Sequence, residues 1–352
     1  MLDDLKLISD IDKSNMLEDI EKLPEQVIES KEIVNNSSLG SFFKVDNIVI
    51  SGMGASAISG DIVQELFRDR LDIPIFVTRQ YDLPKWVHKN TLLISQSYSG
   101  NTEETLHTFK HGFQKRCNII GISSGGKLED YCEKRGVPHI KIPISNQPRI
   151  ATAYILFSSL FALKKIGLLR NGIESEIEEV ISITKDLRDE CKKDRPEKDN
   201  TAKQFAKKIF NSIPQIYGWG TYLPIARRWC TQFNENSKII CRFDEIPECN
   251  HNDIVAWSMN PEVSKNFSCI LFRDEEIESV YMRKRLDFMK ELYSDVAKNV
   301  IEVHIKGKKR LAKMMYAMYL GDFISCYIAM LRKTDPSPVV AIDELKNALD
   351  SI

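Results

Sequence analysis

Ser95-Gln96-Ser97-Tyr98-Ser99-Gly100-Asn101-Thr102-Glu103-Glu104-Thr105 follows directly on the apolar run Thr91-Leu92-Leu93-Ile94. The order is a buried strand, a hydroxyl-rich turn holding one glycine, and a helix start. Three hydroxyls, Ser97, Ser99 and Thr102, would gather with free backbone N–H groups at a helix N-terminus. Orphan amides and the helix dipole both favour a phosphate dianion there. The loop has no lysine and no G-x-x-x-x-G-K-[ST], so it is not a nucleotide P-loop. A small phosphorylated metabolite suits it. The plainer alternative is a capping box running from Ser99 or Asn101 into Thr102-Glu103-Glu104.

Upstream, Asp46-Asn47-Ile48-Val49-Ile50-Ser51 reads as a strand, Gly52-Met53-Gly54-Ala55-Ser56-Ala57 as a glycine loop, and the run to Phe67 as a helix. Strands follow at 73–77, 118–122 and 139–142, with a helix near 102–115. Strands alternating with helices at this spacing predict a doubly wound parallel sheet. Such sheets bind ligands beyond the carboxyl ends of their strands, where both loops lie. Residues 3–35 read as an amphipathic helical lead-in broken at Pro24, 151–170 as an apolar helix, and 173–200 as a charged helix running into an exposed connection.

The second half then begins as the first does. Ile213-Pro214-Gln215-Ile216-Tyr217 leads into Gly218-Trp219-Gly220 and a helix carrying Ala226-Arg227-Arg228. Strand, G-x-G and helix therefore recur, which predicts a tandem repeat of one α/β domain. The expected division is 1–170, a helical connection 171–200, and 201–352. Further strands are expected at 267–272 and 300–304, a long helix at 311–332 and a short last helix at 341–349. No second hydroxyl loop appears, so one phosphate site per chain is expected.

With 352 residues, 49 basic and 50 acidic, the chain is near neutral. No basic excess points to nucleic acid or an anionic membrane surface. The first residues lack an apolar core of the signal-peptide kind, and the apolar stretches read shorter than a membrane span. Eight scattered cysteines form no C-x-x-C, so a cytoplasmic protein with reduced thiols and no metal is expected.

Gly52-Met53-Gly54-Ala55-Ser56-Ala57 also fits G-x-G-x-x-A after a strand, which makes a dinucleotide fold the rival. The next strand ends Val77-Thr78-Arg79, without the acidic residue that NAD wants; Arg79 would suit NADP. Candidate chemistry gathers in polar intervals: Glu235 in Gln232–Lys238, His251 in Glu248–Asp253, Arg149 at a helix start, and Lys346 in the last helix. Taken singly, each suits a solvated or structural role. Together they supply a base, a His and two cations beside a phosphate cradle, a set suited to proton transfer next to a carbonyl.

In that order the motifs Gly52-Met-Gly-Ala-Ser56, Ser97-Tyr-Ser-Gly-Asn-Thr102, Pro148-Arg149, Asn234-Glu235-Asn-Ser-Lys, His251-Asn252 and Glu344-Leu-Lys346 resemble the bifunctional phosphoglucose/phosphomannose isomerases of the sugar isomerase (SIS) superfamily. The resemblance implies two tandem SIS-type domains, each a parallel sheet flanked by helices. It implies conversion of glucose 6-phosphate or mannose 6-phosphate to fructose 6-phosphate, with neither metal nor cofactor. Gly54, Ala55, Ser56, Ser97, Ser99 and Thr102 would hold the phosphate. Glu235 would be the base, Arg149 would stabilise the cis-enediolate, and His251 and Lys346 would assist ring opening. The His would come from the neighbouring subunit of a homodimer.

Two departures stand out. Gly-Ala-Ser replaces the usual Gly-Gly-Ser. The hydroxyl residue tied to dual specificity falls at Val339, with Ser337 close by. A sugar-phosphate-binding SIS module without turnover is the alternative that keeps the same fold.

Overall fold

The computed structural model describes residues 1–40, 42, 44–169 and 172–349. β1 (Asn47–Ser51), β2 (Ile75–Thr78), β3 (Thr91–Gln96), β4 (Asn118–Ser123) and β5 (His139–Lys141) form a parallel sheet in the order β2-β1-β3-β4-β5. Every residue of β1 and β3 is buried, so neither alternates. That is the pattern of central parallel strands covered on both faces. The faces part by pleat: Ile48 and Ile50 join one apolar cluster, and Val49 joins Leu93 and Phe109 in another.

β6 (Ile213–Trp219), β7 (Arg242–Ile246), β8 (Phe267–Arg273) and β9 (Asn299–His304) form a second parallel sheet, β7-β6-β8-β9. Its order matches the first sheet through four strands, so the repeat expected from the two G-x-G loops is present. β7 carries no apolar run and went unread: Arg242-Phe243-Asp244-Glu245-Ile246 is an edge strand that stays largely accessible. The expected boundary at 170/171 lies outside the described residues.

Two expectations need correction. Pro24 does not break the lead-in; it sits in the first turn of the helix Leu23–Asn36, where a missing N–H costs nothing. The break comes earlier, where Asp12 accepts the N–H groups of Met16 and Leu17 at 2.8 and 2.9 Å. The helix Arg310–Leu331 is also long and apolar enough to cross a membrane, with a mean hydropathy of 1.4 in its most apolar window. Lys313 and Asp322 interrupt that apolar run in the sequence. This helix is the central rod of the second half. It is 94% buried in that window and packs on the helices Ile173–Cys191, Thr201–Ile209 and Leu223–Glu235.

The helix Leu223–Glu235 also packs on Gly54–Phe67 of the first half, and Arg227 reaches Asp61 across that contact at 3.1 Å. A buried ion pair fixes its other face, where Arg228 forks onto Asp322 with both N···O distances at 3.1 Å. Gln232 adds a bond to the same carboxylate at 2.9 Å. Arg228, Gln232 and Asn236 are spaced four residues apart, so they form one stripe along the helix.

Candidate active site

The loops after β1 and β3 meet where the strand order reverses, the place such sheets reserve for ligands. Close approach is built in: a Cβ on Gly52 would lie 3.0 Å from the Gln96 carbonyl. Gly100 has φ +70°, and a Cβ there would fall 1.7 Å from the Gly125 carbonyl oxygen. Only glycine fits this turn. Within it Ser97 Oγ donates to Thr102 Oγ1 at 2.8 Å and accepts the Thr102 N–H at 3.3 Å; Ser99 Oγ accepts the Asn101 N–H at 3.2 Å.

Thr102 stands at the N-cap of the helix Glu103–Gln114, yet no side chain caps that helix. The capping-box alternative is therefore not formed. Gly54, at φ +51°, opens the helix Gly54–Phe67, also without a side-chain cap. Ser56 is buried in its first turn, with Gly54 and Ala55 more open. Gly54, Ala55, Ser56, Ser97, Ser99 and Thr102 thus belong to two adjacent loops presenting two uncapped helix N-termini, an arrangement suited to an oxyanion.

The equivalent position in the second sheet is already filled. After β8, Glu278 accepts from Arg273 Nε at 3.0 Å, from Arg273 Nη2 at 3.2 Å and from the Asp274 N–H at 2.9 Å. The chain's own carboxylate occupies the anion seat, with its side chain fully buried.

Glu235 is the last residue of the helix Leu223–Glu235, so its side chain leaves the core at the helix end, about 30% exposed. Arg149, buried in the short turn Pro148–Ile150, approaches it at 3.5 Å. Every side of the guanidinium is engaged. Nε donates to Asn236 Oδ1 at 2.6 Å and Nη1 to Gln147 Oε1 at 3.1 Å. Nη2 donates to the carbonyls of Pro336 and Ser337 at 2.8 and 2.9 Å. Burial pulls its pKa below the usual guanidinium value, with Glu235 opposing. Lys238 donates to the Glu235 carbonyl and, at 2.9 Å, to Pro336 O. Burial and the neighbouring Arg149 lower its pKa.

The two cations beside Glu235 therefore also strap down the C-terminal tail. Ser337 Oγ is buried there without a hydrogen-bond partner among the described residues, and Val339 is half-buried two residues on. Lys238 and the tail carbonyls were not foreseen as parts of the site. Lys238 lay in the polar interval already marked, but a backbone carbonyl leaves no trace in a sequence.

His251 and Lys346 are not brought to this group. His251 is exposed at the end of the turn Glu248–His251, and its side chain makes no hydrogen bond to any described residue. The helix that follows, Asp253–Met259, exposes Val255 and Met259, and a hollow of about 350 Å³ is lined by Asn250, Ile254, Tyr281, Lys284, Arg285 and Phe288. Lys346 stands on the helix Val340–Leu349, which buries none of its residues, and faces Asp343 at 3.9 Å. Arg79, the group an NADP phosphate would need, is committed to Asp61 at 2.5 Å.

The chain is 39% identical over 339 residues to a bifunctional phosphoglucose/phosphomannose isomerase of Caldicellulosiruptor bescii, covering 96% of this chain and 99% of that one. It belongs to the bifunctional phosphoglucose/phosphomannose isomerase family. The relative of that name in Thermoplasma acidophilum is 33% identical over 306 residues, 86% of this chain and 89% of its own. Residues 198–349 match the family described as the bacterial phospho-glucose isomerase C-terminal SIS domain. Tagatose-6-phosphate ketose/aldose isomerase from Escherichia coli shares the fold, with a TM-score of 0.67 at 16% identity over 92% of this chain and 94% of that one. In this member of the isomerase family the two-sheet SIS architecture, the hydroxyl loop and the Glu235–Arg149 pair occur together.

Proposed function

We propose that the chain interconverts hexose 6-phosphates, glucose 6-phosphate and mannose 6-phosphate on the aldose side and fructose 6-phosphate on the ketose side. The single observation that carries this is the junction of Glu235 with Arg149 at the end of a helix anchored to both halves. Family membership agrees with it. Gly54 and Ala55 amides and the Ser56, Ser97, Ser99 and Thr102 hydroxyls would hold the phosphate, leaving the other end of the sugar to Glu235. Glu235 takes the proton from C2 and returns it to C1, or the reverse. Arg149, its donors already bound, acts as a fixed positive charge against the enediolate, an electrostatic aid that needs no reorganisation during the reaction.

Residues 1–170 then serve as the phosphate domain and 201–352 as the domain of the base, joined through 171–200. The chain works as a homodimer in this reading. The exposed Val255, Met259, Tyr281 and Phe288 support a surface shared with a second copy, and His251 would assist ring opening in the partner's site. Lys346 lies six residues along the helix from Val340, about 9 Å of rise, so a bend after the strapped Ser337 would carry it inward. Ser337 and Val339 would set the choice between epimers.

The test uses fructose 6-phosphate in heavy water. Deuterium at C2 of the aldose products, unchanged by EDTA, is the expected result; tight binding without deuterium would favour the non-catalytic SIS module, and the absence of both binding and deuterium would refute both readings.

A further inference from the structure

Cys230 lies in the helix Leu223–Glu235, five residues before the base, and faces Cys241 at the approach to β7. Cys230 Sγ donates to the Cys241 carbonyl at 3.1 Å, which sets its sulfur against the Cys241 backbone. Asn234 spans the same seam. Its Oδ1 accepts the Cys241 N–H at 3.0 Å, and its Nδ2 meets Cys230 Sγ at 3.8 Å. Asn234 is the residue immediately before Glu235.

The other six thiols differ. Burial raises all of them, Cys117 to about 11 and Cys132, Cys191 and Cys249 to about 12, and raises Cys241 as well, whereas hydrogen bonding to Cys241 lowers Cys230. Cys230 and Cys241 are buried but each keep 7% of their surface accessible, whereas Cys132, Cys191, Cys249, Cys269 and Cys326 keep none; Cys117 is half-buried. A cysteine of lowered pKa held against a second cysteine, each with a small edge open to solvent, is an arrangement suited to disulfide exchange.

We propose that Cys230 and Cys241 form a thiol–disulfide modification site that reacts with a small-molecule disulfide and, once closed, displaces the catalytic Glu235. The Cys230 thiolate attacks one sulfur of the reagent; the reagent's S–S bond breaks and one thiolate leaves. Cys241 then gives up its proton and attacks the Cys230 sulfur, expelling the second thiolate. The pair loses two electrons and the reagent gains them, ending as two thiols.

Closure removes the S–H that bonds the Cys241 carbonyl and turns Cys241 Sγ, now 3.6 Å from Arg242 O, toward the helix. The far side of the turn cannot follow. Ser237 Oγ donates to Ser325 O at 2.6 Å and Asn236 Nδ2 to Ser325 Oγ at 2.9 Å. The adjustment therefore falls between these anchors and the new bond, where Asn234 and Glu235 stand. A shift of about 1 Å in a catalytic group can cost roughly 100-fold in rate.

The experiment treats the whole protein with oxidised glutathione. Mass mapping should find a peptide linking Cys230 to Cys241, and amide exchange should change across 232–238. The value of kcat should fall about tenfold or more with KM for fructose 6-phosphate within about twofold, and dithiothreitol should restore it. Cys230→Ser and Cys241→Ser, or Cys241→Ala where serine folds poorly, should keep reduced activity and resist the reagent. The absence of the linkage, a linkage with unchanged exchange and kcat, or an equal loss in Cys230→Ser would overturn the proposal. The kcat arm rests on the isomerase reading, whereas linkage and exchange do not. A chain that closes the bond and alters exchange but turns over nothing when reduced refutes the isomerase reading alone.

Discussion

Replacing Glu235 by Gln keeps the volume of the side chain and removes its charge, so chemistry and stability can be read apart. Loss of a general base costs about 10²–10⁴ in rate, or roughly 3–5 kcal/mol of barrier. The structural cost is much smaller. The carboxylate is about 30% exposed and 3.5 Å from Arg149, while the guanidinium keeps Asn236, Gln147, Pro336 and Ser337 as acceptors. After solvent screening the pair contributes about 1 kcal/mol, equivalent to a shift of roughly 1–2 °C in Tm for a chain of this length. A coupled isomerase assay, calorimetry with fructose 6-phosphate and a thermal melt test this together. Expected are a kcat lower by two to four decades, ligand affinity within about threefold and a nearly unchanged melt. A kcat within tenfold of the parent would refute the assignment of the base. A collapse in Tm would show that Glu235 acts through the fold.

Three further outcomes follow from the same geometry. Gly100→Ala puts a methyl 1.7 Å from a backbone oxygen at φ +70°, so KM should rise about tenfold or more with secondary structure intact, as steady-state kinetics and circular dichroism would show. Asp322→Ala strands the buried Arg228 and should destabilise by about 3–5 kcal/mol in urea unfolding. His139 is half-buried against Ser123 Oγ at 2.8 Å, and its partial burial lowers its pKa. Below pH about 6.5 the unfolded chain gains a proton there that the folded chain resists. Stability from this group is complete above that pH and declines as acid is added; His139→Gln should flatten the melting temperature between about pH 5 and 6.5.

The fold was legible where burial is two-sided. Ile48-Val49-Ile50 and Leu92-Leu93-Ile94 read as strands because central parallel strands are apolar throughout, and the recurring G-x-G marked the repeat. Edge strand β7 was not legible, since its solvated residues carry no apolar signal. The hydroxyl loop was readable because its chemistry resides in side chains of fixed spacing. Arg149 and Glu235 could be nominated, but their meeting depends on the Arg228–Asp322 pair and on Pro336 and Ser337 carbonyls, long-range contacts that no local pattern encodes. His251 and Lys346 remain nominations from motif alone, since one is exposed and the other rides on an unpacked helix.

The acid that fills the second repeat gives the molecule a dormant receptor. Arg273 and the Asp274 amide already converge on one oxyanion, which the polypeptide itself provides as Glu278. A duplicated scaffold can close one copy to an outside anion in this way while keeping its topology. Trimming Glu278 to alanine would reopen the vestigial berth and give protein engineers a place to graft a second guest.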